Sequence, residues 1–277
     1  MEKHIRCLIE ACRALGLGYE QLDREGNFLR VAITGHWEYF QLSKTPFNSE
    51  VMHGICRDKM HSYQLLGGSV RLPRTLSFLD VNLESKYRAY LELDSLDAIV
   101  KRAEAEFDYP LVVKRNRGYL GINVRLCQDR AEVKTALRQV FDQRSKHYDY
   151  LALAQEFIPT REEYRLVCAF GTPVLIYRRG SGRLFNARYW ELAEERANLV
   201  QDPALEQALM EFVRPVYATL PLGFVGFDIV RGTDDQLYLL ELNSSPRFDH
   251  VIDGNGPGCV VDMYRKTLGL YLDRRSG

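Results

Sequence analysis

Gly226-Phe227-Asp228-Ile229-Val230, a polar turn over 231–236, and Leu237-Tyr238-Leu239-Leu240-Glu241-Leu242-Asn243 form the stretch that decides the fold. Two apolar runs flank a turn-rich segment, which is the pattern of an antiparallel hairpin. With the turn centred between Asp234 and Asp235, Asp228 lies opposite Glu241. Directly opposed residues have Cβ atoms about 4.5–5.5 Å apart. Asn243, two residues beyond Glu241, shares that face. Two carboxylates on strands this apolar repel each other and lose hydration. A divalent cation reverses that sign, and oxygen ligands of this kind suit Mg²⁺, which keeps water and phosphate in its other positions. The competing reading is a solvated hairpin, and the apolar neighbours of Asp228 and Glu241 weigh against it.

A second hairpin carries the opposite charge. Glu163-Tyr164-Arg165-Leu166-Val167-Cys168 runs into Gly171-Thr172, and Val174-Leu175-Ile176-Tyr177-Arg178 returns. Glycine first in a two-residue turn suits type II′. That register predicts Arg165 opposite Arg178, with Glu163 on the same face. Two opposed guanidiniums make a site for phosphate or carboxylate; the alternative is a wet face on which each arginine bridges a nearby acid. Lys114 ends the apolar run Pro110-Leu111-Val112-Val113 and precedes a loop containing Gly118 and Gly121. An ammonium beside free backbone N–H groups can hold phosphate. The G-x-x-x-x-G-K-[ST] pattern is missing, so this is not a Walker loop.

Outward from these hairpins, hydrophobic periodicity predicts helices over 5–15, 49–66, 94–107 and 260–272, and strands over 28–33, 39–42, 110–114 and 151–157. Thr34-Gly35-His36 separates the first two strands. Asp129 opens a further helix with a capping-box pattern, and Asp202-Pro203 opens another that Pro215 kinks or ends. Strands arranged in hairpins among helices predict an α+β fold. The expected division is a small unit over 1–50, a first part with the nucleotide-binding subdomain over 51–158, and a C-terminal subdomain with the metal site over 159–277.

Composition bounds the function. The 277 residues carry 37 Lys plus Arg against 37 Asp plus Glu, with 46% hydrophobic and 27% charged residues. That profile excludes a disordered chain and a general polyanion binder, so no nucleic acid partner is expected. No apolar run reaches the ~18 residues of a membrane span, and the start lacks a signal-peptide core. A cytoplasmic protein with no membrane partner is expected. The six cysteines form no C-x-x-C pair and read as free thiols.

Taken together, these pieces resemble the ATP-grasp superfamily over most of the chain, from about Thr45 to the last helix. The order is Asp58-Lys59, Pro110 to Lys114, the Gly118 and Gly121 loop, Gln155-Glu156-Phe157-Ile158, Glu163-Tyr164-Arg165, Arg178, Asp228, and Glu241-Leu242-Asn243-Ser244-Ser245-Pro246. The chain looks most like the branch holding glutathione synthetase, the ribosomal-protein glutamate ligase and cyanophycin synthetase. The resemblance implies two α+β subdomains clasping ATP, with a small N-terminal segment. By the same resemblance, Lys59 and Lys114 would hold ATP phosphates under the closing loop of Gly118 and Gly121. Glu156, Phe157 and Ile158 would read the adenine edge, and Glu163 the ribose. Arg165 and Arg178 would hold the γ-phosphate and an acyl phosphate, with Asn186 a further contact. Asp228, Glu241 and Asn243 would ligate Mg²⁺, usually two ions, or Mn²⁺.

The implied chemistry is ATP-dependent joining of a carboxylate to an amine, from an amino acid or peptide, through an acyl phosphate with release of ADP and phosphate. A non-catalytic ATP-binding protein and a small-molecule kinase are the alternatives on the same fold. Departures from the family pattern are Arg115 in place of a proline and Ala187-Arg188-Tyr189-Trp190 where glycines are usual after Asn186. Relatives carry a longer front before the position of Lys59. A homodimer or a partner protein completing the acceptor site is therefore expected. Arg183, Arg188, Arg247 and His250 fall near the expected site and suit an anionic or amino-acid substrate.

Overall fold

Turn chemistry and helix caps set the order of elements. The computed structural model describes residues 1–118, 121–179 and 197–276. Helix α1 (Lys3–Ala14) buries Ile5, Leu8, Ile9, Ala11 and Cys12 along one side. Strands β1 (Tyr19–Gln21), β2 (Phe28–Ile33) and β3 (His36–Gln41) follow as an antiparallel sheet. Thr34 and Gly35 both have positive φ, 46° and 80°. That is the backbone of a two-residue type I′ turn, whose twist matches the flanking strands. His36 therefore pairs with Ile33 instead of sitting in the turn, and the strand expected at 39–42 begins earlier.

The helix expected over 49–66 is two helices, α2 (Glu50–Arg57) and α3 (Lys59–Leu66), broken at Asp58. Asp58 has extended backbone, φ −98° and ψ 101°, and its carboxylate accepts the N–H of His61 at 3.1 Å. An N-cap aspartate outcompetes continuation because it satisfies an orphan N–H of the next helix. The break makes Lys59 the first residue of α3. Strand β4 (Thr75–Leu79), a 3₁₀ turn (Ser85–Tyr90), α4 (Leu96–Glu104), β5 (Leu111–Arg115), β6 (Val124–Cys127), α5 (Arg130–Val140) and β7 (Leu151–Glu156) complete the next layer. Its sheet order is β4-β7-β5-β6. Asp129 caps α5 through the N–H of Glu132, whose carboxylate accepts the N–H of Gln128. Ile99, Val100, Val133 and Leu137 from α4 and α5 pack on Leu111 and Val113 of β5.

The largest sheet has the order β10-β9-β8-β11-β12. It is built from β8 (Thr160–Ala169), β9 (Thr172–Arg178), β10 (Asn198–Leu199), β11 (Phe224–Gly232) and β12 (Leu237–Asn243). Helix α6 (Pro203–Thr219) precedes β11; α7 (Asp249–Asn255) and α8 (Gly258–Ser276) end the chain. Pro215 does not end α6, which continues to Thr219. Leu209, Val213 and Val216 bury the helix on both sides of the proline and offset its lost bond. One face of the sheet, with Val167, Ala169, Tyr177 and Phe224, packs under α1 and α8. The other, with Leu166, Cys168, Val225 and Phe227, packs under α6. Among the described residues no helix is long and apolar enough to cross a membrane.

One close approach locks the segment before α2 to the large sheet. A Cβ on Gly223 would lie 1.9 Å from the carbonyl oxygen of Phe47. Asn48 continues the contact, accepting the N–H of Gly223 at 2.8 Å and donating to the carbonyl of Phe224 at 2.6 Å. Only glycine allows this approach, and it sets where α2 and α3 stand against β11.

Candidate functional site

Asp228 pairs with Glu241, as the hairpin reading requires, but along a less direct route. Near the turn the register is one residue off that reading: Arg231 pairs with Leu237 and Ile229 with Leu239. A bulge between Asp228 and Ile229 leaves Leu240 as the extra residue and restores the pair. Asn243 shares the face, and its Nδ2 donates to Asp228 Oδ2 at 3.1 Å and to Glu241 Oε1 at 3.0 Å.

The expected pairing of Arg165 with Arg178 is not formed. Arg165 pairs with Tyr177, and Arg178 with Tyr164. The turn is Phe170-Gly171, with φ of 51° and 82°, instead of Gly171-Thr172. It is type I′ by these angles, and a bulge follows between Val167 and Cys168. The resulting one-residue slip puts Arg178 on the opposite face. There it is half exposed and pairs with Glu162 at 2.8 Å. Arg165 is buried and donates through one edge of its guanidinium to both oxygens of Asp228, from Nη2 at 2.6 Å and from Nε. A Cβ on Gly226 would come within 2.9 Å of Arg165 Cδ, so glycine there makes room for the arginine. The second guanidinium on this face is Arg179, just past β9, at 3.2 Å from Asp228 Oδ2 and 3.0 Å from Glu163 Oε1. The Arg178-Arg179 pair in the sequence held the signal, since neighbours on a strand point to opposite faces.

Lysines approach from the other side. Lys59 Nζ lies 3.3 Å from Glu241 Oε2 and donates to the carbonyl of Gly118 at 3.2 Å. Lys114 Nζ donates to Tyr63 Oη at 3.0 Å and to Gln155 Oε1 at 2.9 Å. Tyr63 Oη in turn donates to the carbonyl of Leu240 at 2.6 Å. Tyr63 thus connects the β4–β7 layer to β12. Neither Tyr63 nor Gln155 stood out in the sequence reading as a site residue. Burial pushes Lys114 down to about 8, with Glu241 opposing.

The remaining expected residues are placed as follows. Glu156 is engaged by Arg74, accepting its backbone N–H at 2.7 Å and its Nε at 2.8 Å. Phe157 and Ile158 form the connection from β7 to β8, both partly buried. Gly121, at φ 63°, accepts the N–H of Val124 at 3.2 Å. Asn186, Arg183 and Arg188 lie outside the described residues. Arg247 is exposed. The His250 ring packs edge-on to Tyr177 at 5.3 Å, and burial, then Arg179 and Arg165, pushes it down to about 3. A cleft of 610 Å³ reaches Tyr63 and Thr75 but none of the carboxylates.

The donor set fits a divalent cation. Two carboxylates and a carboxamide converge, all hard oxygen donors once the Asn243 amide makes a half-turn. Burial pushes Asp228 up to about 6, against Arg165 and Arg179 and with Glu241 adding to the rise. Burial pushes Glu241 the same way, but Lys59, the hydrogen bond with Asp228 and Arg165 outweigh it and hold Glu241 well below the usual range. Negative charge concentrated here is thus met by three cationic side chains, Arg165, Arg179 and Lys59.

Antiparallel sheets that bring Lys59 and Lys114 to an acidic face studded with arginine define an ATP-grasp enzyme. The model of the RimK-like ATP-grasp domain matches residues 56–256. The chain belongs to that family. No curated protein sequence matches it. Among solved structures it is similar to the D-alanine–D-alanine ligase of Bacillus anthracis complexed with ATP, at 21% identity and TM-score 0.54, over 80% of this chain and 69% of that one. It is similar to D-cycloserine synthetase at 18% identity and TM-score 0.55, over 78% and 70% of the two chains. The bifunctional glutathione synthetase of Pasteurella multocida matches at 13% identity and TM-score 0.52, over 95% of this chain and 43% of that one. At these identities the likeness is one of fold.

Proposed function

We propose that this chain is an ADP-forming carboxylate–amine ligase. The observation that carries the reading is the single face holding Asp228, Glu241, Asn243, Arg165 and Arg179, with Lys59 and Lys114 brought against it. Phosphoryl transfer needs positioning and charge stabilisation more than covalent chemistry from the protein. Lys59 and Lys114 hold the phosphates of ATP, and Arg179 and Arg165 stabilise charge on the transferred group. Asp228, Glu241 and Asn243 would hold Mg²⁺, which when bound would supply charge neutralisation for phosphoryl transfer. In this scheme a substrate carboxylate oxygen attacks the γ-phosphorus and ADP leaves. An amine then attacks the acyl carbon, phosphate leaves with the bonding pair, and the amine gives up its proton. Ligases that join amino acids share this fold, and an amino acid or peptide is the proposed substrate class.

Nucleotide product analysis tests the reading. ADP and phosphate forming only when a carboxylate and an amine are both present, with an amide product by mass, support it. A phosphorylated product would make the chain a kinase, and ATP binding without turnover across pooled amino acids and small carboxylates would leave a non-catalytic binder. A homodimer, or a partner completing the amine site, belongs to the same reading and is tested by sedimentation with and without substrates.

Lys114 gives a pH signature. Its nearest neighbours are Tyr63 and Gln155, and Glu241 is the charged group that acts on it. With a value of about 8 in the free protein, it loses its proton above that pH. Bound phosphate favours the charged form, so affinity is full below pH 8 and falls as pH rises through it. The limiting slope is about tenfold per pH unit. Titration calorimetry with ATP from pH 7 to 9.5 measures it. Lys114→Met should bind more weakly with no such slope; an unchanged slope in that variant would remove Lys114 from the phosphate site.

A further inference from the structure

The starts of α1 and α7 lie against each other, on residues outside the acidic face. Glu2, the residue before α1, His4 in its first turn and Asp249 at the start of α7 each bring one ligand atom within 4.8 Å of the other two. His4 is only 1% exposed, and neither of its ring nitrogens has a hydrogen-bond partner. Buried polar groups in folded proteins are nearly always satisfied, because leaving one unpaired forfeits its hydration for nothing. Here a bare imidazole faces two partly buried carboxylates, an arrangement that a cation would complete.

We propose that Glu2, His4 and Asp249 form a site for a divalent first-row transition ion, Zn²⁺ being the best fit, which fastens α1 to α7. One imidazole with two carboxylates is a nitrogen–oxygen donor set, suited to zinc, manganese or iron; an all-oxygen set would instead suit magnesium or calcium. Three protein ligands leave a fourth position for water. Bonds of about 2.0–2.2 Å to each ligand hold the donor atoms roughly 3–3.5 Å apart. The cluster closes to that spacing by small movements, for which Glu2 has three side-chain torsions. Glu2 and Asp249 are each partly exposed, which gives the ion a way in. Lys3 pairs with Asp253 beside the cluster, a second link between the same two helices. Asp249 precedes His250, whose ring packs on Tyr177. The ion therefore steadies the segment behind the arginine cluster. This proposal does not depend on the ligase reading.

The full chain without an N-terminal tag, stripped with chelator and free of nucleotide, is equilibrated with Zn²⁺, desalted and measured by mass spectrometry of the metal. One zinc per chain is expected in the wild type and in Glu241→Gln. Affinity should fall by about tenfold or more in His4→Gln and in the double variant Glu2→Gln with Asp249→Asn. Co²⁺ in place of zinc should give a visible absorption band that the same variants lose. Should His4→Gln fail to fold, the double variant decides, because it keeps the buried ring and its packing. Zinc absent from the wild type, zinc retained unchanged in the double variant, or zinc lost only in Glu241→Gln would each overturn the proposal.

Discussion

Glu241→Gln is expected to lower ADP formation by about 10²–10³-fold or more while leaving the fold in place. Glu241 contributes a carboxylate oxygen beside Asp228 and is the ion-pair partner of Lys59. Glutamine keeps the volume and the hydrogen bond with Asn243 but removes the charge that draws a cation. The fold should tolerate the change at a modest cost: Lys59 is only 9% exposed, but it keeps its hydrogen bond to the Gly118 carbonyl at 3.2 Å, and the glutamine amide oxygen can still accept from it. Coupled ADP assay, ATP binding and thermal melting on the same preparation separate the two effects. Wild-type turnover in the variant would remove the acidic face from the chemistry; a large drop in melting temperature would show instead that Glu241 serves the fold.

The parts of this site differ in how far the sequence discloses them. Asp228 and Glu241 were legible because polar residues on apolar strands are costly unless they have a use, and that cost survives small errors in register. Their pairing survives the offset turn, since Leu240, the extra residue of the bulge, restores the register. The arginines show the reverse. Alternation along a strand is strict: the earlier turn moves the register by two residues and keeps the face, but the bulge that leaves Val174 as the extra residue takes one back, and that odd net slip exchanges Arg179 for Arg178. Nothing local distinguishes a Phe170-Gly171 turn from a Gly171-Thr172 turn, because both use the glycine. The break at Asp58 was visible in principle as an N-cap, but the apolar periodicity over 49–66 hid it. Tyr63 carries no local signal, and Gln155 stands in the sequence only as the first residue of the 155–158 stretch. Their hydrogen bond spans distant parts of the chain and exists only once α3 lies against β7. The α+β class was legible from the hairpins, while β4 was not, being a short strand whose partner β7 lies far along the chain.

Asp228→Leu should cost about 3–5 kcal/mol of stability, far more than Glu241→Gln. Asp228 and Arg165 side chains are 5% and 7% exposed, and the guanidinium grips both carboxylate oxygens. Removing the carboxylate strands Arg165 in a site from which water is excluded, with Arg179 pressing a second positive charge toward it. At the usual conversion the melting temperature falls on the order of 10 °C. The double variant Asp228→Leu with Arg165→Met removes the stranded charge as well, and most of the loss should return, because a buried ion pair seldom outperforms apolar packing of similar volume. Arg179 keeps Glu163 at 3.0 Å in that variant. Denaturant unfolding of the wild type, both single variants and the double closes the cycle, and a single-variant loss below about 1 kcal/mol would show that the pair is solvated. ADP formation should stay abolished in the double variant however stable it is. A protein restored in stability yet inactive would mean that Asp228 and Arg165 are buried together for the sake of charge placed at the phosphate, a purpose for which the fold itself has no need.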